Sequence, residues 1–589
     1  MPDIRYQEAA RRIEVLLKPL IGVRPLNTGE ISFYENHFLQ GWEIPGLCED
    51  SEFKFRLLLP STAPYSPPRV AVWPAPLLLE WPHLEEKGLL CLMSDTATYS
   101  IYDDYAGVAM YLLKDAIELV RDSMSGANIS HFEDEFQSYW KRWEGAKDNY
   151  IHTHCLPEGP SRWTSSWHSK GGCWVADNET DLLKWMENRC GKEACSKVRP
   201  QKIPLLWLPR ALRPKEYPKS VHMLRSTLKE LGVDDSMLKR LLLDEQLKHK
   251  SVVVGFKGRQ GAGFAGLFMG RPTAPLKVGG FRKRPPGDIM LMRYSRAKIT
   301  GAQAIRLDSP WIHGRDHNSQ ERALSKKSVV VFGIGSIGSF VVGLLAMSGV
   351  GELILVDPEA LSSENPGRHV LGIDSIRMNK AKKLAKDLNA RFPHLKISGY
   401  DKKCEDFSKT ILPAIRRPDL IISTIGSWRS EGLLNAMAVD SVISSPILYG
   451  WTEPHATAGH AVVFHDGKGC LRCIRDDMGK VKLPVTLWSE EGTLVPVPAC
   501  GGYFQPYGAV EITHIHGLIA DLALDVLLGN TITSAHRVWI GSKKIIESTG
   551  VGTWNPLWID RYGELGRGGC LKDVEILPAP DCPECGRRP

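Results

Sequence analysis

No run of about 18 apolar residues occurs anywhere in the 589-residue sequence, which excludes a membrane-spanning helix. The opening MPDIRYQEAARRIEVLLKPL lacks the basic cap and apolar block of a secretory leader, so a cytoplasmic chain is expected. Charge of one sign is also in short excess. The 74 Lys and Arg against 67 Asp and Glu leave a net +7, far below a nucleic-acid footprint, so neither nucleic acid nor membrane is an expected partner. The thirteen cysteines are odd in number and not spread as a disulfide framework. In a reducing compartment, paired cysteines then point to metal and isolated ones to core or catalysis. With 43% hydrophobic and 24% charged residues the chain is globular rather than disordered. At about 150 residues per domain, its length predicts roughly three or four domains.

Three stretches differ in pattern. Residues 1–150 open with a helical pattern and continue through strand-like runs, EFKFRLLL and RVAVW, split by the proline-rich STAPYSPP. The amphipathic VAMYLLKDAIELVRD follows, so grouped strands with helices at the ends predict an α+β domain. Residues 151–290 show helical patterns at 180–190 and 220–247 and a basic, Gly/Pro-rich stretch at 270–288, with no repeat and no catalytic signature. This part reads as a connecting domain or linker. Residues 291–589 hold SVVVFGIGSIGSFVVGLLAMSGVGELILVD, which is strand, glycine turn, helix and strand. KISGYD and DLIISTIGS continue the alternation, predicting an α/β, Rossmann-like, doubly wound parallel sheet.

Gly333, Gly335 and Gly338 form G-x-G-x-x-G directly after the strand Ser328–Phe332. Glycines let backbone approach a phosphate, and the following helix start presents free N–H groups. Asp357 lies about 20 residues on, at the end of the next strand, where a carboxylate reaches ribose hydroxyls. A dehydrogenase-type dinucleotide site would use the same residues. Asn365 and Arg368, just beyond the acid, and Lys380 on the helix NKAKKLAKDL shift the reading. Hydride transfer needs no cations beside the phosphates, whereas reaction at an α-phosphate builds negative charge there as pyrophosphate leaves.

Two C-x-x-C pairs, Cys470/Cys473 and Cys582/Cys585, supply the four thiolates of a closed tetrahedral zinc site, and a closed site is structural. Cys500 stands alone between the pairs in VPVPACGGYFQPYG. Flanking prolines and glycines place it in a loop, where an uncrowded thiol suits acyl transfer.

On these motifs the stretch from about Arg293 to the C-terminus resembles the ubiquitin-activating and sulfur-carrier-activating adenylyltransferases of the ThiF/MoeB type. The resemblance implies ATP and Mg²⁺ as cofactors, with Asp357 on the ribose and Asn365, Arg368 and Lys380 on the triphosphate. It makes Cys500 the acceptor of the activated C-terminus as a thioester. Arg293-Tyr294-Ser295-Arg296 resembles the family's arginine-bearing opening helix, whose second arginine reaches the partner subunit's site, which implies a homodimer. One departure stands at Gly426, where the family carries an aspartate for magnesium. Either a carboxylate such as Glu359 or Glu453 takes its place, or activity is weaker.

In the N-terminal stretch, Tyr65-Ser66-Pro67-Pro68, Trp81-Pro82-His83 and Leu90-Cys91-Leu92 resemble the ubiquitin-conjugating fold over roughly residues 30–145. That resemblance makes Cys91 an acyl carrier. His83 stands where an oxyanion-stabilising asparagine is expected, able to donate an N–H or act as base. Asp95, Asp103 and Asp104 follow in a loop that either orients an amine or is simply solvated.

One chain with both modules resembles the fusions of bacterial CBASS anti-phage operons, which implies as substrate the C-terminus of a cGAS-like nucleotidyltransferase. That C-terminus would be adenylated, passed to Cys500, then to Cys91, and joined to an amine of a target protein. The alternatives are a small ubiquitin-like modifier as substrate, an NAD-dependent oxidoreductase, and a non-catalytic dinucleotide-binding scaffold.

Overall fold

The computed structural model describes residues 4–34, 37–45, 52–92, 104–146, 148–169, 172–196, 198–247, 249–272, 287–465, 469–489, 493, 495–496, 503–504, 506–576 and 578–587. Two compact units divide the chain. One takes residues 1–175 and 200–305, the other residues 176–199 and 306–589. The helix Glu179–Cys190 thus groups with the C-terminal unit, and Arg293 and Arg296 with the first.

The first unit begins with an antiparallel sheet of Arg24–Pro25, Phe38–Ile44, Lys54–Pro60 and Arg69–Trp73, in that order. Alternate residues of the strand Lys54–Pro60 serve two cores. Phe55, Leu57 and Leu59 pack with Ile13, Leu17, Leu112 and Val120 of the helices Ile4–Leu17 and Tyr105–Ser125. Leu58 points the other way, toward Leu26, Tyr34 and Phe38. The period of two is therefore kept although both faces are apolar.

Seven strands form a closed barrel, ordered Gly261–Met269, Ile299–Arg306, Tyr150–Thr153, Gly172–Ala176, Arg162–Ser169, Gln201–Leu208 and Lys250–Gly258. The helical patterns at 180–190 and 220–247 form as Glu179–Cys190, Val221–Glu230 and Ser236–Leu243. Val253 faces the barrel interior with Ile203, Leu205 and Phe264, while Val252 and Val254 face a layer that includes Leu224, Leu241, Phe136 and Trp140.

The second unit is built on an eight-stranded sheet. Lys396–Tyr400, Glu352–Val356, Ser328–Phe332, Leu420–Ser423 and Ile447–Thr452 run parallel, in that spatial order. Ala458–Phe464, Ala535–Ile540 and Cys570–Val574 extend it antiparallel. Val329 and Val331 face one core, with the helices Gly338–Met347, Lys380–Arg391 and Ala509–Leu528. Val330 and Phe332 face the other, with Phe407 and Leu434. This is the Rossmann-like arrangement. Strand order reverses at Ser328–Phe332, so the crevice for a ligand opens beyond that strand's carboxyl end, where the glycine turn lies.

Candidate active site

Two of the three turn glycines are dictated by backbone crowding. Gly333 has φ +85°, and a Cβ there would stand 2.8 Å from the backbone of Thr424 and Ile425. A Cβ on Gly338 would lie 1.9 Å from the Gly333 carbonyl oxygen. Gly335 is different, because a Cβ there would meet nothing within 4 Å. It lies on the open side of the turn.

Side chains that carry no motif hold the turn's carbonyls. The Thr424 hydroxyl donates to Gly333 O at 2.7 Å, His369 Nε2 to Ile334 O at 2.8 Å, and His516 Nε2 to Ser336 O at 2.9 Å. The His369 tautomer is fixed from the other side, since Nδ1 accepts the Leu371 N–H at 3.0 Å. Both histidines are buried, and burial holds both below the usual imidazole range, His516 at about 4. They are neutral donors near pH 7. With these oxygens tied back, the N–H side of the turn is the one left for an anion.

Asp357 ends the strand Glu352–Val356 and secures the turn from beneath. Its Oδ2 accepts the Ile334 N–H at 2.7 Å and its Oδ1 the Glu359 N–H at 2.8 Å. Burial pushes its carboxyl up, and the two backbone donors and Lys380 pull it down. Asn379 joins this acid to the next helix. Its Nδ2 donates to Asp357 O at 2.8 Å, while its Oδ1 caps Lys380–Arg391 by accepting from Lys382 N at 3.0 Å.

Gly335, Ser336, Asn365, Arg368, His369 and Lys380 line one hollow of about 110 Å³. Four residues read from the sequence as phosphate ligands are thus brought together. Lys380 is buried and pairs with Glu359 at 2.6 Å. Asn365 Oδ1 accepts from the Ser362 N–H at 3.1 Å and the Ser362 hydroxyl at 3.0 Å. Its Oδ1 is thus engaged on Ser362. The Arg368 guanidinium lies 4.6 Å from the Tyr507 ring centroid, and the Tyr507 hydroxyl is 2.9 Å from Ser336 Oγ. Tyr507 follows Cys500 by seven residues in sequence. Cys500 itself lies outside the described residues.

No carboxylate stands at Gly426. Of the two substitutes, Glu453 is corrected by the structure. It is buried, and its oxygens accept from His460 Nε2 at 3.0 Å, Val485 N at 2.7 Å, Thr486 N at 2.9 Å and Thr486 Oγ1 at 2.5 Å. Those four donors occupy it. Glu359 has its side chain 69% exposed and takes Lys380 Nζ at 2.6 Å, with no other side-chain donor on it among the described residues.

Cys470, Cys473, Cys582 and Cys585 converge, their sulfurs all within 4.8 Å of one another. Cys470–Cys582 is 3.6 Å and Cys473–Cys585 is 3.4 Å. Zinc–sulfur bonds of about 2.3 Å give tetrahedral edges of about 3.8 Å, so the cluster fits the metal. Asn435 links the two pairs: its Oδ1 accepts the Leu471 N–H at 2.7 Å and its Nδ2 donates to Glu584.

In the first unit Cys91 is exposed, and its N–H donates to His83 O at 2.8 Å, which sets the two residues side by side. Partial burial, Glu85 and Glu135 push the thiol up, against Arg69 and Arg142. His83 has φ +57°, and both ring nitrogens face partners: Nε2 is 2.9 Å from His131 Nδ1, and Nδ1 is 3.6 Å from Glu135. Asp104 caps Tyr105–Ser125 through Gly107 N at 2.9 Å, while Asp95 and Asp103 lie outside the described residues. Arg293 and Arg296 line a hollow of the first unit with His222, Arg225, Lys239 and Asp288.

Residues 312–542 match the ThiF family, and residues 36–149 match Prokaryotic E2 family B. The chain carries a ThiF-family adenylation domain with a prokaryotic E2-type domain on its N-terminal side. It is 24% identical over 470 residues to the ATP-dependent ubiquitin transferase-like protein Cap2 of Pseudomonas aeruginosa (strain BWHPSA011 / Pa011), spanning 76% of this chain and 80% of that one. The molybdopterin-synthase adenylyltransferase of Escherichia coli (strain K12) is 26% identical over 223 residues, 38% of this chain and 86% of that one. The ubiquitin-like modifier-activating enzyme 5 of Culex quinquefasciatus is 27% identical over 202 residues, 29% of this chain and 49% of that one.

Proposed function

We propose that this chain is an enzyme that adenylates the C-terminus of a protein with ATP, takes it as a thioester on Cys500, passes it to Cys91 and joins it to an amine of a target protein. The observation that carries the reading is the hollow in which Gly335, Asn365, Arg368 and Lys380 meet under a turn whose carbonyls are tied away. A carboxylate is inert to thiols until it has a good leaving group. Its attack on the α-phosphate expels pyrophosphate, and Arg368, Lys380 and the turn's N–H groups neutralise the charge that develops. Asp357 holds the turn and the ribose side. Magnesium, which screens the phosphate oxygens when bound, would be held by Glu359 together with the phosphates. Zinc would be held by the four cysteines and would tie the C-terminal tail to the sheet.

By its resemblance to the two-module fusions of CBASS operons, the substrate is a cGAS-like nucleotidyltransferase, the setting is cytoplasmic anti-phage signalling, and the enzyme is a homodimer in which Arg296 serves the partner's site. Gly426 favours a second reading, a dinucleotide-binding scaffold without catalysis. Pyrophosphate exchange into ATP, stimulated by the substrate protein, separates the two. Arg368→Ala should lower it by ~10²-fold, the scale of losing one electrostatic donor. An unchanged rate would remove the hollow from the mechanism.

A further inference from the structure

The surroundings of Cys91 contain a group of side chains that no motif announced. His131 and Glu135 lie one helical turn apart, joined by the Glu135 N–H to His131 O bond at 3.1 Å. His83 stands against both. Its Nε2 is 2.9 Å from His131 Nδ1, with the rings at 5.1 Å and 71°, and its Nδ1 is 3.6 Å from Glu135 Oε2. Tyr139 braces the corner, because its hydroxyl accepts the His83 N–H at 2.9 Å and donates to Glu135 Oε2 at 3.0 Å. Arg142 Nη1 holds the next residue, donating to Leu84 O at 2.9 Å. His83 is thus fixed in backbone and in ring, and its carbonyl takes the Cys91 N–H.

Proton counting assigns the roles. Two neutral imidazoles carry two N–H groups and two lone pairs, and one of each is used in the bond between the rings. The Glu135 carboxylate favours the remaining N–H on the His83 nitrogen that faces it. The remaining lone pair is then on His131 Nε2, on an exposed residue. We propose that His131 is the general base for the amine that attacks the Cys91 thioester, with His83 and Glu135 as its positioning residues. This rests on the reading of Cys91 as acyl carrier.

The step balances without another reactant. The amine nitrogen bonds to the thioester carbonyl carbon, and the carbonyl π pair moves to oxygen. His131 Nε2 takes the extra proton from nitrogen. The oxyanion collapses, the carbon–sulfur bond breaks, and sulfur leaves with the electron pair, then recovers the proton from the imidazolium. Burial, Glu85 and Glu135 hold the Cys91 thiol above its ordinary range, so the sulfur keeps the proton returned to it. The charged and titratable groups facing the site are Glu85, Glu135, Arg69, Arg142, Tyr139, His83 and His131.

The test charges Cys91 directly. The full-length chain carrying Cys500→Ala is acylated with a fluorescent glycine-ended peptide supplied as a small-molecule thioester, and the acylated cysteine is mapped by mass spectrometry. Discharge is then timed with lysine and, separately, with hydroxylamine, an α-nucleophile that cleaves thioesters without a positioned base. His131→Gln should slow discharge to lysine by ~10²-fold, the usual contribution of a positioned base, while charging and discharge to hydroxylamine stay within about twofold. Added imidazole should restore His131→Ala in proportion to its concentration, and Glu135→Gln should move the pH midpoint of lysine discharge downward. Equal lysine discharge by the His131→Gln and His131-bearing chains overturns the assignment of the base alone. If the His131-bearing chain charges Cys91 but never yields its peptide to lysine, the acyl-carrier reading falls with it.

Discussion

His516 gives a prediction whose size follows from its surroundings. The ring is buried on Ala509–Leu528, stacks 4.5 Å from Phe340 at 6°, and donates Nε2–H to Ser336 O at 2.9 Å. Burial pulls its pKa from 6.5 to about 4, with the bond to Ser336 working the other way. Between these values the unfolded chain holds a proton that the folded chain does not, so stability falls as pH falls through that window. The difference amounts to roughly 3 kcal/mol in full, of which about 2 kcal/mol is gone by pH 5. His516→Phe keeps a stacking ring but removes both the titration and the donor to Ser336. It should cost about 1–3 kcal/mol at pH 7.5, the effect of leaving a buried carbonyl unpaired. Urea unfolding of the full chain at pH 7.5, 6 and 5 should show the two proteins converging as the pH drops. Parallel curves would refute the burial argument, and equal stability at pH 7.5 would refute the role of His516 in holding the turn.

The contact of Tyr507 with Arg368 predicts a split. Tyr507→Phe keeps the ring under the guanidinium and should leave the KM for ATP in pyrophosphate exchange within about threefold, whereas Tyr507→Ala should raise it about tenfold. Zinc should be present at about one per chain by elemental analysis, and changing Cys582 and Cys585 together to serine should remove it and destabilise the C-terminal unit. Metal-free protein that is stably folded would defeat that assignment. If Arg296 acts across a dimer, mixing Arg296→Ala with Lys380→Ala subunits should restore about a quarter of the sites, since random pairing forms one intact set of groups. No recovery after confirmed subunit exchange would place the site within one chain.

The C-terminal unit was legible because its parallel strands are short apolar runs and its turn has no room for side chains. Gly333 and Gly338 are forced by crowding against Thr424 and against the turn itself, so the motif and the geometry have one cause. The paired cysteines were legible for a similar reason, since a tetrahedral site needs thiolates in that spacing. The seven-stranded barrel was not. Its strand Lys250–Gly258 is buried on both faces, so Val252, Val253 and Val254 give no alternation to read. The residues that hold the site were also invisible. His516 is 180 positions from Ser336 and His131 is 48 from His83, and a lone histidine carries no pattern. Glu453 misled because a carboxylate in a loop looks available until its four donors are found.

The proposed chemistry is a carboxyl group activated at the hollow and carried by two cysteines in sequence. It is tested most directly by locating the thioester, by intact mass and thiol sensitivity, after incubating cysteine variants with ATP and the cGAS-like nucleotidyltransferase proposed as substrate. Cys91→Ala should accumulate the adduct on Cys500 and give no conjugate, and Cys500→Ala should form the acyl-adenylate yet load neither cysteine. A Cys500→Ala chain that still loads Cys91 would contradict this order, because the acyl group would then pass from the adenylate directly.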